Sequence, residues 1–262
     1  MKRELNKKMG RIFVVTSGKG GTGKTTSAVN LGAALNHFGE DVIIVDGNLT
    51  TPNVGLHFGA PIVPVSLSHV LSGHARIEDS IYEHESGVKI IPTSLSIKEL
   101  KRANRKNLES IARKLRKLSD YIIFDSGAGL GEEAVSVIRL ADEIILVSNP
   151  DMPSITDALK TIKIAEELGK VVKGVIITRV RFDKTELSPE SIMDMLEVPI
   201  LGVIPEEFAI RESLAIKNPV VHTHPKSRSS EKYKEIAANL AGRSYKAKKY
   251  TRSFWRKLLG LK

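Results

Sequence analysis

The sequence contains no cysteine. That absence removes disulfides, thiolate nucleophiles, cysteine-ligated zinc and cysteine-held iron–sulfur clusters from its chemistry. No apolar run is long enough to cross a bilayer as a helix, and the opening MKRELNKKMGR lacks the apolar stretch of a signal peptide. A cytoplasmic protein without a transmembrane segment is the expectation. Repeats, low-complexity tracts and a Pro/Gly/Ser-rich linker through the body are also missing, so residues 9–242 read as one domain. Acids are absent from residues 243–262, which hold eight Lys and Arg.

What remains is 262 residues, 41% of them apolar, enough for one large α/β domain with a sizeable core. The formal charge of +10 is unevenly placed. Residues 1–11 carry five bases against Glu4, the last twenty carry eight against none, and 12–242 carry 27 bases against 29 acids. A nearly neutral body with two basic ends points to electrostatic contact through the ends.

Short β-branched runs recur at Ile12–Thr16, Val42–Val45, Val88–Ile91, Tyr121–Phe124, Ile144–Val147, Val171–Ile177 and Ile200–Ile204. They are apolar on both faces and separated by helix-length segments, which predicts a mostly parallel sheet covered by helices on both sides. Apolar spacing of three and four predicts helices at Thr25–Phe38 and Ser154–Leu168, the second ending at Gly169. The serines of Pro225–Ser230 are placed to cap a last helix at Glu231–Leu240.

The strongest motif is Gly18-Lys19-Gly20-Gly21-Thr22-Gly23-Lys24-Thr25-Thr26, between a strand-like and a helix-like run. It fits G-x-x-x-x-G-K-[ST] in the required context, so the amides of Gly20 to Lys24 are expected to surround a β-phosphate. The helix N-terminus adds partial positive charge. Lys24 is expected to reach the β- and γ-phosphates, Thr25 to ligate Mg²⁺, and Thr26 to meet the α-phosphate. Asp46 and Asp125 end the second and fourth strand-like runs. Carboxylates so placed beside a phosphate loop can hold Mg²⁺ directly or through water, and can orient an attacking water. The glycines at 127, 129 and 131 would let the second segment rearrange with the γ-phosphate.

Lys19 is not required by the general motif. With it the loop resembles the deviant Walker A signature, K-G-G-x-G-K-T, of the MinD/ParA group of ATPases. The resemblance implies an ATP-dependent homodimer in which Lys19 reaches the partner's nucleotide, with ATP and Mg²⁺ as ligands. It makes Asp46 and Asn48 the first switch and Asp125 the Walker B acid. Asn149-Pro150-Asp151 and Ser154–Ala158 are similar to the family's interface segment. Thr178-Arg179 and Pro205-Glu206 resemble its adenine-side loops. Two positions depart from the pattern. The family commonly has D-x-D in the first switch, with the second acid associated with hydrolysis, where this chain has Asn48. Its second switch usually reads D-[ST]-P-A-G, and the proline is here Gly127. ATP binding with slow hydrolysis is expected.

The terminal YTRSFWRKLLGLK is amphipathic as a helix. At 100° per residue from Tyr250, residues Tyr250, Leu261, Phe254, Leu258, Trp255 and Leu259 span about 180°. Arg252, Ser253, Arg256, Lys257 and Gly260 take the other half, and Lys262 intrudes at the end. This is the pattern of a helix lying in an anionic bilayer interface, and it resembles the C-terminal membrane-targeting sequence of MinD-type proteins. A helix this short is marginal in water. One tail is expected to bind weakly, and two tails joined in an ATP dimer to gain roughly 10²-fold by effective concentration.

The expected organisation is thus a basic extension (1–8), an ATPase domain (9–242), a basic linker (243–249) and a membrane helix (250–262). The implied role is a MinD-like positioning ATPase, as in spatial regulation of cell division, reversibly peripheral on the inner face of the cell membrane and answering to a protein activator or cargo. Two alternatives remain: a ParA-type ATPase riding on nucleic acid, and a weakly hydrolysing nucleotide-dependent scaffold. Iron–sulfur carriers of the same group need the missing cysteines. The basic stretch Lys98–Lys117 is expected to be one solvated helix face, with a protein or DNA contact as the sharper alternative.

Overall fold

The computed structural model describes residues 9–245. The extension 1–8, the linker from 246 and the amphipathic segment 250–262 lie outside the described residues.

The Val- and Ile-rich runs form β1 (Arg11–Ser17), β2 (Val42–Gly47), β3 (Tyr82–Glu83), β4 (Lys89–Ile91), β5 (Tyr121–Ala128), β6 (Glu143–Ser148), β7 (Val171–Val180) and β8 (Ile200–Pro205). They make one eight-stranded sheet, ordered β3-β4-β2-β5-β1-β6-β7-β8. Every pairing is parallel except the two-residue edge pairing of β3 with β4. The helices are α1 (Lys24–His37), α2 (Val54–His57), α3 (Leu67–Leu71), α4 (Ile97–Arg102), α5 (Leu108–Leu118), α6 (Glu132–Ile138), α7 (Met152–Glu167), α8 (Pro189–Leu196), α9 (Phe208–Ile216), α10 (Val220–Thr223) and α11 (Arg228–Leu240).

Because side chains alternate along a strand, each central strand feeds two cores. Ile12, Val14, Ile122 and Phe124 pack with α5, α6 and α7 on one face. Phe13, Val15, Ile44 and Ile123 pack with α1 and α11 on the other. α1 lies close against β2 because Gly32 has no side chain: a Cβ there would sit 2.5 Å from the Ile44 Cδ1. Ser227 caps α11 by accepting from the Ser230 amide.

The basic stretch is not one helix. α4 ends at Arg102, Ala103 is extended, and a 3-10 turn at Arg105–Asn107 precedes α5. Asn104 causes the break: its side chain accepts from the Lys106 amide at 3.1 Å and caps a new start.

Candidate functional site

The order β2-β5-β1 sets the carboxyl ends of three parallel strands side by side, where α/β sheets bind ligands. Asp46 and Asp125 are cross-strand partners, and β1 runs out beside them into the phosphate loop. The loop closes into α1 through Gly21 and Gly23, whose φ of 80° and 86° would strain any other residue. α1 therefore begins at Lys24 with its free amides facing the loop's hollow.

Lys24, Thr25 and Asp125 form the floor. Lys24 Nζ lies 3.6 Å from Asp125 Oδ1. Thr25 Oγ1 donates to Asp125 Oδ2 at 2.6 Å. Asp125 is fully buried. Burial pushes its carboxyl up, and the Lys24 charge and the Thr25 hydroxyl pull it back. Its Oδ1, and the buried hydroxyl of Thr22, accept or donate no hydrogen bond. These orphaned groups, the lysine and the threonine hydroxyl fit a triphosphate with a hard cation. Among the described residues no trio of histidines and carboxylates could cage a metal alone. A Mg²⁺ here would use Thr25, an acid and the phosphates.

Asp46 is differently engaged. Its Oδ1 accepts from the Asn48 amide at 3.2 Å, and its Oδ2 from the Asn53 and Val54 amides, both at 2.9 Å. It thus folds the loop after β2 onto α2. Burial, then the neighbouring Asp125, pushes its carboxyl well above the usual range against those three amides. Asn48 is also tied into the loop: Oδ1 accepts from the Thr51 amide at 3.0 Å, and Nδ2 donates to Thr51 Oγ1 at 3.0 Å. Glu133 on α6 takes both the amide of Thr50, at 2.9 Å, and its hydroxyl, joining the loop after β2 to the helix after β5.

Lys19 projects from the loop's outer side, and its ammonium lies 3.3 Å from Asp151 Oδ1 at the start of α7. On the opposite flank Thr178 donates to the Thr22 carbonyl at 2.5 Å, fastening β7 to the phosphate loop. Beyond it a cavity of about 200 Å³ runs from Gly23 and Thr26 along Thr178, Arg179, Pro205 and Glu206. All four positions expected on the adenine side therefore line one hollow continuous with the phosphate loop. Its outer wall, Ile210, Arg211 and Leu214 of α9, was not anticipated. Apolar spacing in 208–216 was the available signal. His57 was also overlooked: burial lowers its imidazole, and its Nδ1 donates to the Asn53 carbonyl at 2.9 Å, with Lys24 and Asp125 as charged neighbours.

Residues 13–220 match the model of the CobQ/CobB/MinD/ParA nucleotide-binding domain. The chain belongs to this family. An uncharacterized ATP-binding protein of Methanocaldococcus jannaschii is 40% identical over 253 residues, 96% of this chain and 96% of that one. The cell division ATPase MinD of Pyrococcus furiosus has a TM-score of 0.86 at 35% identity, covering 89% of this chain and 99% of that one. The septum site-determining protein MinD of Pyrococcus horikoshii, solved with Mg-ADP, gives 0.85 at 35% identity, covering 88% and 96%. The chain is a P-loop ATPase of the MinD/ParA type on the MinD side of the family. Among the described residues no helix is long and apolar enough to cross a membrane.

Proposed function

We propose that this member of the MinD/ParA family binds Mg-ATP at the phosphate loop, pairs with a second copy when the γ-phosphate is present, and then holds to anionic membrane through 250–262. The observation that carries the nucleotide half is the Lys24–Thr25–Asp125 cluster under a glycine loop. Lys24 and the loop amides bind the phosphates. Thr25 and Asp125 would hold Mg²⁺, with Asp46 beside them while it keeps the first switch folded, and the ion would supply charge neutralisation at the phosphates. Asn48 orients water without accepting its proton well, so turnover is slow. Arg179, Pro205 and Glu206 surround the base. Lys19, half-exposed on the rim, is free to turn toward a partner's nucleotide once its contact with Asp151 is exchanged.

The membrane half rests on the tail's two faces and on its lack of acids. A solved complex of the Aquifex aeolicus MinC and MinD proteins, whose MinD-like fold matches at TM-score 0.82 and 28% identity, supports a role with a protein partner in cell-division positioning. Sedimentation with anionic liposomes in ATP, ADP or no nucleotide tests the reading, comparing the full chain with one truncated after Gly242. Binding only by the full chain, and only with ATP, is expected. Equal binding in ADP, or by the truncated chain, would sink it.

A further inference from the structure

The described residues that lead to the two basic ends lie at one edge of the fold. The amino end enters at α5: the Gly10 amide donates to the Arg116 carbonyl at 2.8 Å, and Arg116 Nη1 donates to the Gly10 carbonyl at 2.8 Å. The carboxyl end leaves beside the start of β2. There Arg243 pairs with Glu40, and the Tyr245 ring lies 5.4 Å from Phe38. Arg11 Nη1 ties the two together by donating to the Leu240 carbonyl at 3.2 Å. Both ends therefore emerge where β1, β2 and β5 begin, the sheet edge opposite the nucleotide site.

The last turns of α5 reach the same edge, since Ser119 directly after them donates to the Asp41 carbonyl at 2.7 Å. Most acids at this edge are already matched: Glu40 by Arg243, Asp41 by Lys89, Asp142 by Arg116, and Glu143 by Arg11 and Lys173. Asp120 is exposed with no ion pair among the described residues. Against it stand Arg113, Lys114 and Lys117, all exposed and likewise without an ion pair among the described residues. In the sequence, Lys2, Arg3, Lys7 and Lys8 precede Gly10, and Lys246, Lys248 and Lys249 follow Tyr245. Arg113, Lys114 and Lys117 thus make a cationic rim on the edge that holds Gly10 and Tyr245, the points from which both basic ends of the sequence continue.

We infer that this edge is the face laid on an anionic phospholipid bilayer, with Arg113, Lys114 and Lys117 making a headgroup contact additional to the tail. The inference rests on the proposed membrane attachment and deepens it by orienting the body, with the nucleotide site turned away from the lipid. Phospholipid is favoured over nucleic acid because the rim adjoins the departure point of a segment carrying Phe254, Trp255, Leu258, Leu259 and Leu261, side chains with no use on a phosphate backbone. A tail that holds a body within a Debye length of the leaflet brings such charges into its potential.

The test is cosedimentation of the full chain, with Mg-ATP, on phosphatidylcholine vesicles with and without phosphatidylglycerol. The triple variant Arg113→Gln, Lys114→Gln, Lys117→Gln keeps good helix formers and touches no described ion pair. Its comparator is Lys98→Gln, Arg105→Gln, Lys106→Gln, which removes the same charge from α4 and the turn before α5. Circular dichroism and nucleotide affinity check that both variants remain folded. We expect the edge triple to weaken binding to phosphatidylglycerol vesicles at least about tenfold, because each cation near an anionic leaflet strengthens binding by about fivefold when fully engaged. The comparator should change it less than about twofold, since its residues precede the eleven-residue α5, whose length of about 16 Å exceeds the screening length. Wild-type vesicle binding by the edge triple, an equal loss in both triples, or a loss confined to DNA retention overturns the inference while the tail reading stands. Full binding by a chain truncated after Gly242 removes the tail reading instead, and no binding by the full chain overturns both.

Discussion

Lys19 is held by an acid of its own chain, its ammonium 3.3 Å from Oδ1 of Asp151, a residue that also caps α7 by accepting from the Ser154 amide at 2.9 Å. The same lysine therefore cannot serve a partner's nucleotide without first giving up this contact. The contact is half-exposed, and such pairs are worth only about 0–1 kcal/mol, so it is a restraint that dimerisation can exchange. Lys19→Ala is predicted to bind nucleotide with affinity within a few-fold of wild type, because Lys24 is intact, yet to stay monomeric with a non-hydrolysable triphosphate. Asp151→Asn keeps the cap and frees the lysine in both protomers, so dimerisation gives up two fewer contacts and should occur at up to about thirtyfold lower protein concentration. Light scattering after gel filtration reads both. A Lys19→Ala variant that dimerises like wild type would remove the cross-subunit role.

Asn48 can be exchanged for an acid without undoing its loop. Its Oδ1 accepts from the Thr51 amide, and Thr51 Oγ1 can turn to donate where it now receives from Nδ2. Asn48→Asp should leave nucleotide affinity unchanged and raise the single-turnover hydrolysis rate by roughly a hundredfold, the lower end of what a positioned base contributes. Wild type should turn over on the order of minutes, as do switch ATPases lacking strong catalytic groups. An unchanged or lower rate in the variant would show that position 48 does not limit hydrolysis.

These two residues also mark how far the sequence could be read. The phosphate loop is contiguous and its strand and helix have strong patterns, so Gly18 to Thr26 were legible as a unit. So were the seven longer strands, whose β-branched runs are buried on both faces in β1, β2, β5 and β6. β3 was not, because Tyr82–Glu83 is too short for any alternation. The density of positive charge from Lys98 to Lys117, nine bases against two acids, concealed the break at Ala103–Asn104, which turns on one amide side chain. The Lys19–Asp151 contact spans 132 residues and the Thr50–Glu133 contact 83, distances over which only topology pairs side chains. Asp46 was legible as an acid at a strand end beside the phosphate loop, but the three amides that occupy it follow from the path of 48–54 and not from its spacing.

Thr178 joins the base side of the site to the phosphate side through one hydrogen bond to the Thr22 carbonyl. Thr178→Val conserves the shape of this buried residue and leaves that carbonyl without its donor. The unmade bond costs about 1–3 kcal/mol, borne locally by the loop. Nucleotide affinity should fall by roughly tenfold in a fluorescent-analogue titration, the lower part of that range in binding terms. Hydrolysis per bound nucleotide should stay within about twofold, since Thr178 touches neither switch. Unaltered affinity would mean that the loop holds its shape without β7.

The pairing of Arg116 with Asp142 gives a pH signature at the far edge of the sheet. The guanidinium donates to both carboxylate oxygens, at 2.6 and 2.7 Å, and Oδ2 also accepts from the Ile12 amide at 2.8 Å. Partial burial pushes the Asp142 carboxyl up, but Arg116 and the Ile12 amide outweigh it and hold it below the ordinary value of 3.8. An acid whose pKa is lowered on folding adds stability above its unfolded value and loses it as the pH falls through the folded one. Asp142→Asn should therefore be less stable than wild type at neutral pH, by about 1 kcal/mol, the upper end for a pair that water partly screens. The gap should persist down to the ordinary carboxylate range and close at more acid pH, where wild-type Asp142 is itself protonated. Urea unfolding across that range measures it. A gap that stayed constant into acid would assign the loss to the altered hydrogen bonds and not to the charge.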